Sequence, residues 1–227
     1  MVSTNGPHRK DIDLHALIRQ DALRDPKLAA RFAKAKEINA PVVAELQQAG
    51  FPVEVVEDLY HMRLDYRDAI PILLRWLPFV EDHGLKQTIA RALSVRWAKP
   101  VAAKALIEEF PKAPPDSALK WAIGNALSVV ADDAVFDELV ALATDKRHGK
   151  SREMVVVALG NMRNPSAADI LIELLDDEEV AGHAIVALRK LAPKRARPHL
   201  EKFLSHPKTW VRNEAKAALA KIDKKAG

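Results

Sequence analysis

Residues 119–130 read LKWAIGNALSVV. Apolar side chains fall at Leu119, Ile123, Ala126, Leu127 and Val130, the spacing of one buried stripe on a helix. The Ala126-Leu127 pair at its centre returns along the chain, at Ala92-Leu93, Ala158-Leu159, Ala187-Leu188 and Ala218-Leu219. The gaps between successive pairs are 34, 32, 29 and 31 residues. A beat of that length marks a repeat protein, in which each unit stacks on its neighbours.

Aligning the five pairs produces columns. Three residues before the Ala stand Ile89, Ile123, Val155, Ala184 and Ala215. Seven before it stand Leu85, Leu119, Ser151, Val180 and Val211, and four after it Arg96, Val130, Met162, Leu191 and Ile222. The pattern predicts five equivalent amphipathic helices. The small Ala admits a neighbouring helix and the Leu fills the gap between layers. A partner helix is predicted before each, at residues 67–77, 101–109, 134–143, 167–175 and 196–204. Pro100 and Pro165 suit helix starts, Pro71 and Pro198 imply a kink or late start, and Asp132 and Ser166 are candidate caps. No strand period occurs. Residues 12–23, 27–35, 38–48 and 53–60 also read as helices. The fold class is therefore all-α: an α-solenoid of about five helical hairpins with an N-terminal helical cap. Its expected divisions are a disordered tail at 1–10, the cap at 11–65 and a single continuous array at 66–227.

Composition narrows the function. Hydrophobic residues make up 48% of the 227, enough for a substantial core, and aromatic ones 5%, so that core is aliphatic. With no cysteine there are no disulfides, thiolate metal sites or Cys nucleophiles. No apolar run approaches the roughly 20 residues that span a bilayer. The opening MVSTNGPHRKDIDLH lacks the hydrophobic core of a signal peptide. These features predict a soluble, cytoplasmic protein with no membrane partner. The net charge of +4 is uneven: residues 186–227 hold 12 Lys/Arg against 3 Asp/Glu, leaving −5 for the rest. That basic end suits a solenoid cap or an anionic partner.

No catalytic motif is present. Gly149-Lys150-Ser151 matches the end of a phosphate-binding loop, but Thr144 stands where that loop needs glycine. The histidines are scattered, and no cofactor or metal site is read. The carboxylates Asp132-Asp133 and Asp176-Asp177-Glu178-Glu179 lie where helices begin, where they satisfy free N–H groups.

The units 119-LKWAIGNALSVV-130, 152-REMVVVALGNM-162 and 211-VRNEAKAALAKI-222 resemble the second helix of HEAT repeats, most closely the short repeats named after phycobilisome lyases. The resemblance covers residues 66–223, and 66-YRDAIPILLRWLP-78 resembles the entry to such arrays in bacterial proteins of unassigned role. It implies that the second helices line a concave face. It also implies that a basic residue near the start of each pairs with an acid of an adjacent unit. Lys86, Lys120, Arg152 and Arg212 fill that column, and Ala181 breaks it. The partner acids would be Asp82, Asp116 or Asp177. The alternative is a positive stripe for phosphates or an acidic protein.

The candidate groove residues are Lys86, Arg91, Lys120, Trp121, Asn125, Arg152, Arg189 and Arg212. Trp121 stands in a column otherwise polar or small, with Gln87, Glu153, Gly182 and Asn213. It is either an interaction anchor or a filler above Gly124 and Gly182. Trp76 and Trp210 are expected to pack between layers. Together these features predict a non-enzymatic scaffold holding a protein or peptide partner. Nucleic-acid binding is the alternative, since HEAT-like arrays include DNA glycosylases with a basic groove. A lyase-type accessory role in chromophore attachment is implied by the repeat's name alone.

Overall fold

The computed structural model describes residues 19–21 and 24–226. The tail at 1–10 and most of the helix expected at 12–23 lie outside the described residues. The chain divides into two compact bodies, one up to Leu93 and one from Ser94. Among the described residues every regular element is helical.

The first body opens with α1 (Pro26–Gln48), whose N-terminus is capped by Asp25 Oδ1 accepting from the Lys27 N–H at 2.8 Å. Two helices were expected over this span, and one continuous helix forms. Pro41 removes a hydrogen bond inside it, at a cost of about 3 kcal/mol. Burial of Val42, Val43 and Leu46, at roughly 1.5–3 kcal/mol each, outweighs that loss. The helix expected at 53–60 shrinks to α2 (Asp58–His61). The buried Asp58 carboxylate takes the Glu54 and Val55 N–H groups at 2.8 and 3.2 Å, and Asn39 Oδ1 takes that of Val56 at 3.0 Å. Side chains thus claim the donors that helix formation needs. The first hairpin follows as α3 (Ile70–Trp76) and α4 (His83–Ala92). Glu45 ties α3 to α1, accepting from Trp76 Nε1 at 2.7 Å and pairing with Arg75.

The second body holds four hairpins: α5 (Val101–Glu109) with α6 (Ala118–Val130), α7 (Phe136–Thr144) with α8 (Glu153–Leu159), α9 (Ser166–Glu173) with α10 (Ala181–Leu191), and α11 (Arg197–Glu201) with α12 (Thr209–Ala226). The second helices stack in order, α6 on α8, α8 on α10 and α10 on α12. Short 3₁₀ turns at Asp133–Val135 and Lys194–Ala196 precede α7 and α11, so these first helices start late. Asp132 caps the turn before α7 as expected (3.1 Å). Ser166 does not cap α9. It is the first helical residue, and Asn164 Oδ1 accepts its N–H at 3.0 Å.

All five anchor pairs are buried; the Ala residues and four of the Leu are fully enclosed, and Leu219 is 8% exposed. Arg96 departs from the apolar stripe because α4 ends at Ala92, which leaves Arg96 exposed in a separate turn. The reason for the small anchor shows at Gly160, where an added Cβ would lie 2.7 Å from the Ala187 Cα. Two backbones meet there with no room for a side chain.

A polar ladder that the alignment did not reveal links the C-terminal ends of the second helices. Asn161 Nδ2 donates to the Ser128 carbonyl at 2.7 Å, Lys190 Nζ to Asn161 Oδ1 at 3.0 Å, and Lys221 Nζ to the Lys190 carbonyl at 3.1 Å.

Candidate functional site

The basic column has a common task inside each hairpin of the second body that carries it. Lys120 Nζ donates to the Ala113 carbonyl at 3.0 Å. Arg152 donates to the carbonyls of Gly149 (2.9 Å) and Ala143 (3.2 Å), and Arg212 to those of His206 (2.7 Å) and Pro207 (2.8 Å). Each cation reaches back to oxygens left over between the hairpin's two helices, where carbonyls lack helical donors. Arg152 also bonds Asp177 Oδ2 and Glu179 Oε2 of the next unit, both at 2.9 Å. The inter-repeat pairing implied by the resemblance is thus present at Arg152–Asp177.

Two expected groove residues therefore change place. Lys120 is 2% exposed and Arg152 fully buried. The structure moves both from the solvent-facing groove into the interior, because the loop carbonyls need their donors. Burial pulls the Lys120 ammonium below its usual range, against the opposing pull of Asp116 and Asp145. A positive stripe for phosphates does not form along this column. Arg212 is half-buried on the same duty. Arg189 pairs with Glu214 at 3.2 Å, and Asn125 is half-buried on α6. Lys86 and Arg91 lie in the first body, half-buried and exposed respectively. Arg91 stands near Tyr60, whose hydroxyl burial and Glu57 push up to about 12 while Arg91 opposes them.

Among the described residues, all members of the carboxylate clusters but Glu178 hold a partner within the fold. Asp133 accepts the N–H groups of Arg163 and Asn164, each at 2.9 Å, binding hairpin three to hairpin four. Asp177 takes the Glu179 N–H at 3.1 Å besides Arg152. Partial burial works against ionisation of Asp177, but the Arg152 hydrogen bond keeps its pKa below the usual carboxylate range. Among the described residues no three His, Asp or Glu side chains converge on a metal position.

Exposed aromatics are what remain. Trp121 is 50% exposed on α6 and Trp210 is 45% exposed at the start of α12. The space near Gly182, which one of the two alternatives gave to Trp121, is taken by Trp210, since a Cβ on Gly182 would lie 2.1 Å from the indole. Trp210 packs between layers as expected and keeps nearly half its surface open. Trp76 is half-buried in the first body, held by Glu45.

Beside Trp210 opens a cleft of ≈ 680 Å³ between hairpins four and five, with Lys150 and Glu153 of hairpin three also in its lining. Leu175, Ala181, Gly182, Phe203 and Val211 supply apolar lining. One wall carries Glu153, His183 and Trp210. His183 Nδ1 stands 3.8 Å from Glu153 Oε1, and its ring lies 5.5 Å from the indole. Burial lowers the His183 pKa, with Glu153 pulling the other way, so the imidazole is neutral at pH 7. Some of the cleft's charges are already matched: Asp176 with Lys202 at 2.6 Å and Glu179 with Arg152. Glu153, Glu178, Lys150 and Lys208 have no ion pair of opposite fixed charge among the described residues. The sequence signal for this cleft was the gap at Ala181 and Gly182, two small residues where other units carry a cation and a larger side chain.

Residues 104–181 match the family model of HEAT repeats, roughly a third of the chain. The match is to HEAT repeats as a class and does not single out the phycobilisome-lyase type. No curated protein matches the chain. Among solved structures, a designed armadillo repeat protein in complex with the peptide (KR)4 is 19% identical, with a TM-score of 0.51, over 90% of this chain and 98% of that one. A second designed armadillo repeat protein is 17% identical, with a TM-score of 0.48, over 87% of this chain and 94% of that one. An engineered protein is 22% identical, with a TM-score of 0.48, over 93% of this chain and 99% of that one. At such identities the likeness is one of fold: an α-solenoid of helical hairpins. No described helix is long and apolar enough to cross a membrane.

Proposed function

We propose that this chain, whose residues 104–181 match HEAT repeats, is a binding scaffold that holds a protein or peptide segment along the face of its second helices. One observation carries the reading: Trp121 and Trp210 stand half-exposed on second helices whose apolar faces are packed into the core. A large aromatic on a rigid helix offers contact area at little entropic cost, the character of an interface anchor. Glu153 and His183, from the two hairpins between them, add polar groups to that face. The armadillo neighbour of similar fold is itself in complex with a peptide, which agrees with this use of the architecture.

A display library of random peptides tests it. The chain is expected to enrich a consistent set of sequences. The variant Trp121→Ala should lose their capture by about tenfold or more while keeping its melting temperature within a few degrees. Equal capture by both proteins overturns the reading. Duplex DNA at roughly 50 mM salt is the comparator. Tight, steeply salt-dependent binding of DNA with no peptide enrichment would replace the peptide reading with the nucleic-acid one.

A further inference from the structure

The cleft beside Trp210 arises where the repeat departs from its own pattern. Hairpins two, three and five carry Lys120-Trp121, Arg152-Glu153 and Arg212-Asn213 around the first turn of their second helices, and hairpin four has Ala181-Gly182 in that register. Both positions are small; the Trp210 indole of the next unit occupies the space beside Gly182, and the cleft opens around it.

The chemistry on the wall is selective. An indole with nearly half its surface exposed offers the electron-rich face that attracts cations. The Glu153 side chain is 31% exposed, and no lysine or arginine among the described residues pairs with it. Among the described residues the one ionisable group paired with it is His183, 3.8 Å away, whose pKa burial lowers and whose ring lies 5.5 Å from the indole. A carboxylate and an aromatic face joined by a neutral imidazole favour a planar cation, which stacks on one and pairs with the other. Lys150 and Lys208 also line the cleft, so an anion is the competing ligand to be measured.

We propose that the cleft between hairpins four and five binds an arginine side chain of the partner segment, its guanidinium stacked on Trp210 and ion-paired with Glu153. This rests on the scaffold reading for the source of the arginine, and small probes make the two separable.

The indole N–H signals of the four tryptophans are followed by two-dimensional NMR, with Trp210 assigned through Trp210→Phe. Acetyl-arginine-amide is expected to move the Trp210 signal in a saturable way. Its neutral isostere acetyl-citrulline-amide, and inorganic phosphate, should leave that signal in place. Glu153→Gln should weaken the arginine probe by about fivefold, with the other indole signals unchanged as the control for folding. Equal response to citrulline, stronger response to phosphate, or unchanged affinity in Glu153→Gln overturns the proposal. If peptide capture persists while the arginine probe fails, the arginine site alone falls. If the probe binds as described and no peptide is captured, the scaffold reading alone falls.

Discussion

In hairpin three the second helix is preceded by Arg152 and begins at Glu153; in hairpin four the same two positions hold Ala181 and Gly182. The arginine is fully buried and satisfies oxygens on both sides of its layer, Gly149 and Ala143 within its own unit, Asp177 and Glu179 in the next. Hairpin four has no such residue, and its turn is held by the neighbour's arginine and by its own Asp177. One cation therefore organises two loops, and the surface above the second is left open. The difference teaches that a repeat's interior polar residue also controls its surface: where that residue is present the layer closes, and where it is absent a cleft remains.

The sharpest way to break this comparison is Arg152→Ala. Two carboxylates and two carbonyls lose a buried donor, and the expected loss is about 3–5 kcal/mol in urea unfolding. A loss below about 1 kcal/mol would mean that water serves the loops equally well. Gly182→Ala attacks the other side. The new Cβ would collide with the indole, so Trp210 must swing outward, at about 1–3 kcal/mol. Its fluorescence should shift to the red, and an unshifted spectrum would show that the cleft does not depend on that glycine. Lys120→Met is milder. Among the described residues the Lys120 ammonium makes a single hydrogen bond, to Ala113, with the Phe110 ring 5.2 Å away, and Met keeps the apolar stem. The expected change is about 1 kcal/mol or less, of either sign.

The smallest effect concerns acid. Burial depresses the His183 pKa below its ordinary 6.5, and His148 shifts the same way through burial and the nearby Lys120 charge. Below about pH 6.5 the unfolded chain then binds more protons than the folded one, so stability falls as pH drops from 7 toward 5. His183→Asn should flatten part of that slope in melting temperatures measured across the range. An unchanged slope would assign the whole effect to other groups.

The periodic part of this architecture was legible because burial follows periodicity. The leucines at 93, 127, 159, 188 and 219 repeat at helical register and all turn inward. The segment 101–109 folds as read, since Pro100 marks its start and no breaker interrupts it. The cap helices were less legible. Pro41 breaks a helix by local rules, and only the packing of Val42, Val43 and Leu46 shows why this one continues. The site was read in part. Of the two alternatives for Trp121, its 50% exposure on α6 agrees with a surface position and not with a core filler. Lys120 and Arg152 were misplaced because a cation's position depends on which carbonyls the neighbouring loop leaves over, and that is a tertiary property. The cleft was marked only by an absence at Ala181 and Gly182, whose consequence depends on where Trp210 lands.

The rungs that run from Ser128 through Asn161 and Lys190 to Lys221 share a direction: in each, the later residue in the chain brings the proton and the earlier one waits with the lone pair. During synthesis hairpins three, four and five thus each meet an edge already furnished with an acceptor. Along that edge growth is vectorial, each finished layer serving as the template on which the following one closes.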